Sequence, residues 1–239
     1  MANGIYVSMN GAAARMAQLE SVADNLANAQ TPGFKAERPS FEAFLAKADD
    51  RFGRNGAHVY PAAVSTRVDL SPGAIIQTGN PLDVIPAGRS FIGVQTSSGI
   101  ALTRNGHVQV ESNGALTIAG RSVVDPVGNP IVAPPNSTVR IESTGAVFAN
   151  NTNIGQLGLF ETNGNVDRVG PSLLAPHSAK DISVSKDTVR IGEIETGNSS
   201  PLEAAVQMVA AQRHFETSMQ ALQTYKRLDE RAAEVGRTR

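Results

Sequence analysis

The spacing of apolar residues changes along this chain, and that change limits its fold more than any other feature. From Ile5 to Leu26, apolar residues recur at alternating steps of four and three, which is the 3.5-residue period of a coiled-coil stripe. From about residue 64 to 195 the period is two, as in HVQVES at 107–112 and TVRIES at 138–143. The sequence therefore predicts an α+β fold, with a long helix on each side of a central antiparallel all-β domain.

The second long helix is predicted to begin at Ser200 and to continue towards the C-terminus. Ser200 suits the N-cap, Pro201 the first helical position and Glu203 a capping box. An isolated helix is marginal in water and cannot bury its own apolar stripe. We therefore expect the two terminal helices to pair as a coiled-coil-like unit, although packing of both on the β domain is an open alternative. The predicted helix seam consists of Met9, Ala12, Met16, Leu19 and Leu26, together with Leu202, Val206, Val209, Met219 and Leu222.

Asn-Gly pairs mark turns in the central region. They occur at Asn105-Gly106, Asn113-Gly114 and Asn163-Gly164, between segments of alternating apolar residues. Asn-Gly is the preferred sequence of the two-residue turns that close β-hairpins. We therefore expect many short antiparallel strands joined by hairpins.

The sequence gives almost no support for catalysis. The chain has no Cys, and its four His residues lack the spacing of metal ligands, so we predict no metal and no cofactor. It contains no Walker A loop, no G-x-G-x-x-G after a strand and no G-x-S-x-G motif. A formal net charge of −1 provides no general attraction for nucleic acid. We predict a protein that is not an enzyme and binds neither nucleic acid nor a small-molecule substrate.

Targeting signals are also missing from the sequence as it stands. The N-terminus lacks a basic region followed by an apolar region, so we expect no cleaved signal peptide. No run of about 18 apolar residues occurs, and we therefore expect no transmembrane segment.

A strong stop signal follows the first helix in SVADNLANAQTPGFK, residues 21–35. Asn28 and Gly33 tolerate left-handed backbone conformations, and Pro32 prevents the helix from continuing. Phe34 is large and apolar, and Lys35 follows it directly. We expect Phe34 to anchor the turn, against either its own subunit or a neighbouring one. The alternative is that Phe34 simply fills the local core.

Part of this stretch, NLANAQTPGFK, resembles the signature of the bacterial flagellar rod and hook proteins. Three further segments resemble that family in the same order: GNPLDV at 79–84, LTRNGHVQVESNGAL at 102–116 and MVAAQRHFET at 208–217. The residues that match the family motifs are Asn25, Leu26, Ala27, Asn28, Thr31, Gly33, Phe34, Lys35, Arg213, Phe215 and Glu216.

The resemblance implies a structural subunit of the flagellar basal-body rod, which polymerises helically, transmits torque and encloses the export channel. It implies a terminal helical core domain at 1–30 and 200–239, a connecting region at 31–78 and 186–199, and an outer β domain at 79–185. The implied partners are other copies of the chain, neighbouring rod proteins and the flagellar type III export apparatus. The implied location is the basal body, in the periplasmic rod.

Within the family, the chain length and the opening IYVSMNGA are most similar to the proximal-rod proteins. The distal-rod proteins and other hook-type axial components are the near alternatives. A soluble β-sandwich binding protein is a remote alternative, because such a site needs exposed aromatic side chains and none of the three Tyr residues lies in the β region.

Overall fold

A computed structural model of the chain describes residues 2–46 and 58–237. The chain divides into two compact units. The first, here called the terminal unit, comprises the described residues of Met1–Leu26, Glu37–Arg67 and Pro201–Arg239. The second, here called the β unit, comprises Ala27–Ala36 and Val68–Ser200.

The terminal unit contains two helices and a β-ribbon. Helix α1 spans Ala2–Ala27, helix α2 spans Pro201–Arg237, and strands β1 (Glu37–Ala46) and β2 (His58–Val68) form a two-stranded sheet. Helix α2 begins at Pro201 as predicted, with the acidic Glu203 in its first turn, where negative charge favours the helix dipole.

The prediction of an α+β fold with long coiled-coil-like helices is wrong. Over the described residues the fold is mostly β, with eighteen strands and one α-helix at each end. Much of the predicted seam is open: Leu202 is 77% exposed and Met9 is 52% exposed. A 3.5-residue period identifies the side chains that share one helix face, but it does not supply a partner that covers this face. Helix α2 instead buries small residues, Ala204 and Ala211.

The β unit is built from short antiparallel strands. Its strands are β3 (Ile75–Gln77), β4 (Val84–Pro86), β5 (Phe91–Thr96), β6 (Gly99–Thr103), β7 (Gln109–Val110), β8 (Leu116–Ile118), β9 (Arg121–Ser122), β10 (Val139–Ile141), β11 (Ala146–Ala149), β12 (Thr152–Gln156), β13 (Leu159–Thr162), β14 (Val166–Gly170), β15 (Leu173–Pro176), β16 (Ile182–Val184), β17 (Val189–Ile191) and β18 (Glu193–Glu195). A single turn of 3-10 helix at Ala179–Asp181 precedes β16.

These strands form one larger sheet and several small ones. The six-stranded sheet has the order β14-β15-β6-β5-β13-β16, and three-stranded sheets have the orders β10-β11-β12 and β7-β8-β9. Two-stranded ribbons pair β17 with β4 and β18 with β3. The register aligns Val94 with Ala101 between β5 and β6, and Glu195 with Ile75 between β18 and β3.

Only one of the Asn-Gly pairs closes a hairpin. Asn113-Gly114 joins β7 to β8, which pair with each other, as predicted. Asn105-Gly106 joins β6 to β7, which lie in different sheets, and a Cβ on Gly106 would come within 1.5 Å of the Val84 carbonyl oxygen. This glycine therefore serves the close approach of two backbones rather than a tight turn, and Asn163-Gly164 likewise joins strands that do not pair.

Alternating apolar residues build the core as the period of two predicts. The main core cluster includes Val84, Ile92, Val94, Leu116, Ile118, Val123, Ile131, Ile141, Val147, Leu157 and Val189. A smaller cluster contains Phe91, Leu102, Val124, Phe160 and Leu174. Burial of these side chains, each removed almost completely from water, is the main favourable contribution to the stability of the β unit.

We predict that Leu116→Ala destabilises the β unit by about 2–5 kcal/mol, because it removes buried methyl groups and leaves a cavity in the main core. Val127→Ala, at an apolar residue that is 85% exposed, is the control and should stay within about 0.5 kcal/mol of the unchanged chain. Urea denaturation followed by circular dichroism measures both. Equal effects of the two substitutions would contradict this location of the core.

Candidate functional site

The family-like motif forms consecutive turns directly after α1. The Thr31 amide donates to the Asn28 carbonyl oxygen at 2.9 Å, and the Phe34 amide donates to the Thr31 carbonyl oxygen at 3.2 Å. The Thr31 hydroxyl also donates to the Asn28 side-chain oxygen at 3.4 Å. These turns place Gly33, Phe34 and Lys35 in the interior of the β unit, where all three are buried.

Gly33 sits where only a glycine fits. Its φ is +68°, in the left-handed region, and a Cβ there would lie 2.0 Å from the Asn105 amide nitrogen. Its own amide donates to the Glu195 carbonyl oxygen at 2.7 Å. The absent side chain thus lets the motif lie against both the turn after β6 and strand β18.

Phe34 is completely buried in the β unit of its own chain. The Arg168 guanidinium carbon lies 5.0 Å from the centroid of the Phe34 ring, a cation–π distance. The Phe34 carbonyl accepts a hydrogen bond from the Asn198 amide at 3.3 Å. The sequence left open whether this ring contacts its own or a neighbouring subunit, and the structure places it within its own.

Lys35 belongs to a buried cluster of three charged side chains, here called the ion cluster. Lys35 Nζ lies 2.6 Å from Glu195 Oε1, and Arg104 Nε lies 2.8 Å from Glu195 Oε2. The side chains of Lys35 and Glu195 are each only 1% exposed. The Lys35 ammonium also donates to the Ser71 carbonyl oxygen at 2.6 Å, and the Gly73 amide donates to Glu195 at 2.9 Å. Every charge in the cluster is therefore hydrogen-bonded, as burial of charged groups requires.

Burial and pairing act in opposite directions on Glu195. Burial alone raises the pKa of its carboxyl, but the hydrogen bonds from Lys35 and Gly73 and the positive charge of Arg104 outweigh it, so the pKa is lowered from the usual 4.5. For Lys35, burial is the largest effect, and the pKa of the ammonium is lowered from 10.5 despite the opposing hydrogen bond and charge of Glu195. Glu195 is therefore ionised at neutral pH.

Asn198 connects the segments that enter and leave the β unit. Its side-chain oxygen accepts from the Ala36 amide at 2.7 Å, and its side-chain nitrogen donates to the Asp69 carbonyl oxygen at 2.8 Å. The Asp69 amide in turn donates to the Ala36 carbonyl oxygen at 2.8 Å. Residues 27–36, 68–73 and 195–200 are therefore held together at one place, which we call the junction.

Within the terminal unit, Asn25 fixes the start of β1. Its side-chain nitrogen donates to the Glu37 carbonyl oxygen at 2.8 Å, and its side-chain oxygen accepts from the Glu37 amide at 3.0 Å. Asn25 is buried, Leu26 is half-buried and Ala27 is exposed. The amide group of Asn25 thus satisfies one donor and one acceptor of the backbone, as a neighbouring strand does.

The other predicted site residues lie on the two helices. On α2, Arg213 and Glu216 are exposed and Phe215 is half-buried. The predicted seam divides by exposure. Met9, Met16, Leu202, Val206 and Val209 are exposed, Leu19, Leu26, Met219 and Leu222 are half-buried, and Ala12 is buried.

Sequence reasoning missed the partners of the motif. Glu195, Arg104 and Asn198 lie far along the chain from Lys35, and no periodicity indicates that they meet it. One signal was available: Arg104 lies in LTRNGHVQVESNGAL, a segment that resembles the family.

Among the described residues, no group of three or more His, Asp or Glu side chains is placed to hold a metal ion. None of the helices described is long and apolar enough to cross a membrane. The junction is a packed, fully paired structural cluster.

Comparison with known proteins identifies relatives over almost the whole chain. Residues 5–35 match the family model described as flagella basal body rod protein, and residues 191–235 match the one described as flagellar basal body rod FlgEFG protein C-terminal. The flagellar basal-body rod protein FlgF of Salmonella typhimurium is 31% identical, over 98% of both chains. The proteins of the same description in Mesorhizobium japonicum and Escherichia coli are each 30% identical, over 99% and 93% of both chains. The first match ends at Lys35, and the second includes Glu195 and Asn198.

We predict that Gly33→Ala destabilises the β unit by about 3 kcal/mol or more, because it adds a backbone clash to left-handed strain. Gly79→Ala is the matched control: Gly79 has a φ of +71°, but no atom lies within 4 Å of the position that a Cβ would take there. Gly79→Ala should therefore destabilise the protein only through left-handed backbone strain, by about 1 kcal/mol. Thermal melting of both variants separates the two effects, and equal losses would argue against the tight contact at Asn105.

We predict that Glu195→Gln costs about 3–5 kcal/mol at pH 7, because Lys35 and Arg104 are left buried without their counter-charge. Since the folded-state pKa of Glu195 is lowered from 4.5, its contribution is present above that pH and is lost as pH falls through the folded value. The stability difference between the two proteins should therefore shrink as the pH falls below about 4.5.

Glu142→Gln is the control for this substitution, because Glu142 pairs with Arg140 at the surface. Its effect should stay within about 0.5 kcal/mol at all these pH values. Urea titrations at several pH values provide the measurement. A Glu195→Gln difference that is small at pH 7, or that does not change with pH, would contradict the ion cluster.

Proposed function

Because the chain belongs to the flagellar basal-body rod protein family, we propose that its copies polymerise helically, transmit torque and enclose the export channel. The protein is a structural, FlgF-like subunit of the basal-body rod. Its FlgF relatives favour this subunit over a distal-rod or hook-type component. The family membership also argues against the remote alternative of a soluble β-sandwich binding protein.

The observation that carries the mechanical part of the proposal is the junction. The chain crosses between the two units at Leu26–Ala27, Ala36–Glu37, Arg67–Val68 and Ser200–Pro201. Residues next to each crossing are fixed in the β unit: Gly197 lies against the backbone of Asn28 and Ala29, and Asn198 binds Ala36 and Asp69. The four chain crossings start from residues that hydrogen bonds and close packing hold in one cluster. A force on the β unit therefore passes into these crossings with little local deformation, which suits a subunit that transmits torque.

We further propose that the exposed seam residues form contacts between subunits. A rod requires head-to-tail contacts that do not close into a dimer, so each subunit must present two different surfaces. The exposed apolar side chains of Leu202, Val206 and Val209 provide one such surface on α2. Met9 and Met16 on α1 are exposed as well, and methionine adapts to neighbours of slightly different shape.

The proposed division of labour follows the predicted domains. Residues 1–30 and 200–239 would form the helical core of the rod, 31–78 and 186–199 its connecting region, and 79–185 the outer β domain. The motif residues Asn25 to Lys35 would then set the exit of the chain from the core, and Arg213, Phe215 and Glu216 would act within the core.

Location and partners complete the proposal. We place the protein in the periplasmic part of the basal-body rod, next to further copies and neighbouring rod proteins, after passage through the flagellar type III export apparatus. We assign it no catalytic activity, since Glu195 is engaged by both Lys35 and Arg104 and faces no described cavity that combines a nucleophile with a base.

We predict that Val206→Asp blocks incorporation into the rod without unfolding the monomer. Val206 is 63% exposed, so the free energy of unfolding should change by less than about 0.5 kcal/mol, whereas a buried subunit contact would lose apolar area and gain an unpaired charge. Swimming motility and recovery of the protein in purified basal bodies measure incorporation, and thermal melting measures folding.

Gln212→Asp provides the matched control, because Gln212 is also exposed on α2 and the same charge is introduced. This variant should assemble and support motility. Normal incorporation of Val206→Asp would exclude this face from the assembly. Equal failure of both variants would show that added charge on α2, rather than the apolar face, blocks incorporation.

A further inference from the structure

A groove of about 430 Å³ lies beside the ion cluster, entirely within the β unit. Leu70, Pro72 and Phe91 form apolar walls, and Arg89, Arg104 and Thr162 supply polar groups. Such a volume, with few polar groups on mostly apolar walls, is typical of sites for small molecules or short peptide segments.

Arg104 is held rigidly but keeps one donor group available. Its side chain is 7% exposed, and its Nε is bound to Glu195. Its Nη1 donates to the carbonyl oxygens of Gly88 and Ser90. Its Nη2 has no hydrogen-bond partner among the described residues, and Arg104 is one of the residues that line the groove. Because Nε and Nη1 are already fixed, a ligand that binds Nη2 costs the Arg104 side chain little conformational entropy.

Arg89 brings a second guanidinium group to the same groove. It lies between Gly88 and Ser90, the two residues whose carbonyl groups bind Arg104. Its side chain is exposed, and within the described part of the chain it forms no hydrogen bond or ion pair. Two arginines at one groove favour a carboxylate, which accepts paired hydrogen bonds from guanidinium groups.

The acidic groups near the groove are already engaged. Glu195 is bound by Lys35 and Arg104, and Asp187 accepts the hydroxyl hydrogen of Ser90. Arg89 forms no ion pair with either carboxylate among the described residues, and the apolar walls adjoin it directly. The Arg104 guanidinium carbon lies 5.8 Å from the Phe91 ring, so one wall of the groove is both apolar and cationic.

We infer that this groove binds a short acidic peptide segment, with a Glu or Asp carboxylate between Arg89 and Arg104 and a flanking apolar side chain against Leu70, Pro72 and Phe91. A peptide fits better than an acidic sugar, because the apolar side chains of Leu70, Pro72 and Phe91 outnumber the neutral hydroxyl groups of Ser71 and Thr162 in the lining. The inference goes beyond the proposed assembly function and does not require polymerised protein.

The probe is the acetylated and amidated pentapeptide Ala-Leu-Glu-Leu-Ala, titrated into the full-length monodisperse chain labelled with ¹⁵N. Amide shift changes are expected at Leu70, Gly88, Arg89 and Thr162. The same peptide with Gln in place of Glu should bind about fivefold more weakly or worse, because it loses the charge-assisted hydrogen bonds.

Arg89→Gln is the test variant and should weaken binding of the Glu peptide by about fivefold or more. It should leave thermal melting unchanged, because Arg89 is exposed. Arg121→Gln is the matched control, since Arg121 is exposed and lines a different groove. It should bind the peptide as the unchanged chain does.

Several outcomes would overturn the inference. Equal binding of the Glu and Gln peptides would exclude a carboxylate site, and equal binding by Arg89→Gln would exclude this groove. Glucuronate or inorganic phosphate binding as tightly as the peptide would show a general anion site rather than a peptide site. Loss of motility by Val206→Asp does not bear on any of these results, so the two proposals fail independently.

Discussion

Glu195 holds two buried cations at once, and the arrangement of the junction depends on this carboxylate. Lys35 arrives from the motif after α1, and Arg104 arrives from the end of β6. Burial of three charges costs desolvation energy that a well-packed apolar core would not incur, so the cluster is a poor source of net stability. Its effect is on arrangement: only one placement of the three segments pairs every charge. The neighbouring hydrogen bonds of Gly33 and Asn198 fit the same single arrangement.

That arrangement bears directly on the role of a rod subunit. The chain passes four times between its two units, and the residues beside these passages are tied into one cluster. A mechanical component needs stiff anchor points more than it needs a reactive site. It also needs surfaces left open for its neighbours, and the exposed apolar residues of α2 are consistent with that need. Under the proposed role, the buried paired charges of the junction and the exposed apolar side chains of α2 have a common explanation.

Some sequence signals succeeded and others failed for definable reasons. The period of two located the β region, since alternation reports directly which side chains face a core. The start of α2 was correct, because caps act within a few residues. The coiled-coil-like pairing was wrong, because a period describes one helix face and not its partner. Asn105-Gly106 and Asn163-Gly164 were expected to close hairpins, but each joins two strands that do not pair with each other. At these positions the glycine instead lets another segment of the chain lie close to its backbone.

The sequence by itself determined the family, the alternation of the β core and the sharp end of the first helix. Each of these depends on residue types within a short stretch of the chain, or on a pattern of residue types that repeats along it. Only the tertiary structure decided that Phe34 is buried in its own chain and that Lys35 meets Glu195, 160 residues away. It also decided that Arg104 and Arg89 line the same groove. These features depend on contacts between distant segments, and such contacts are set by the packing of the whole β unit rather than by any local pattern.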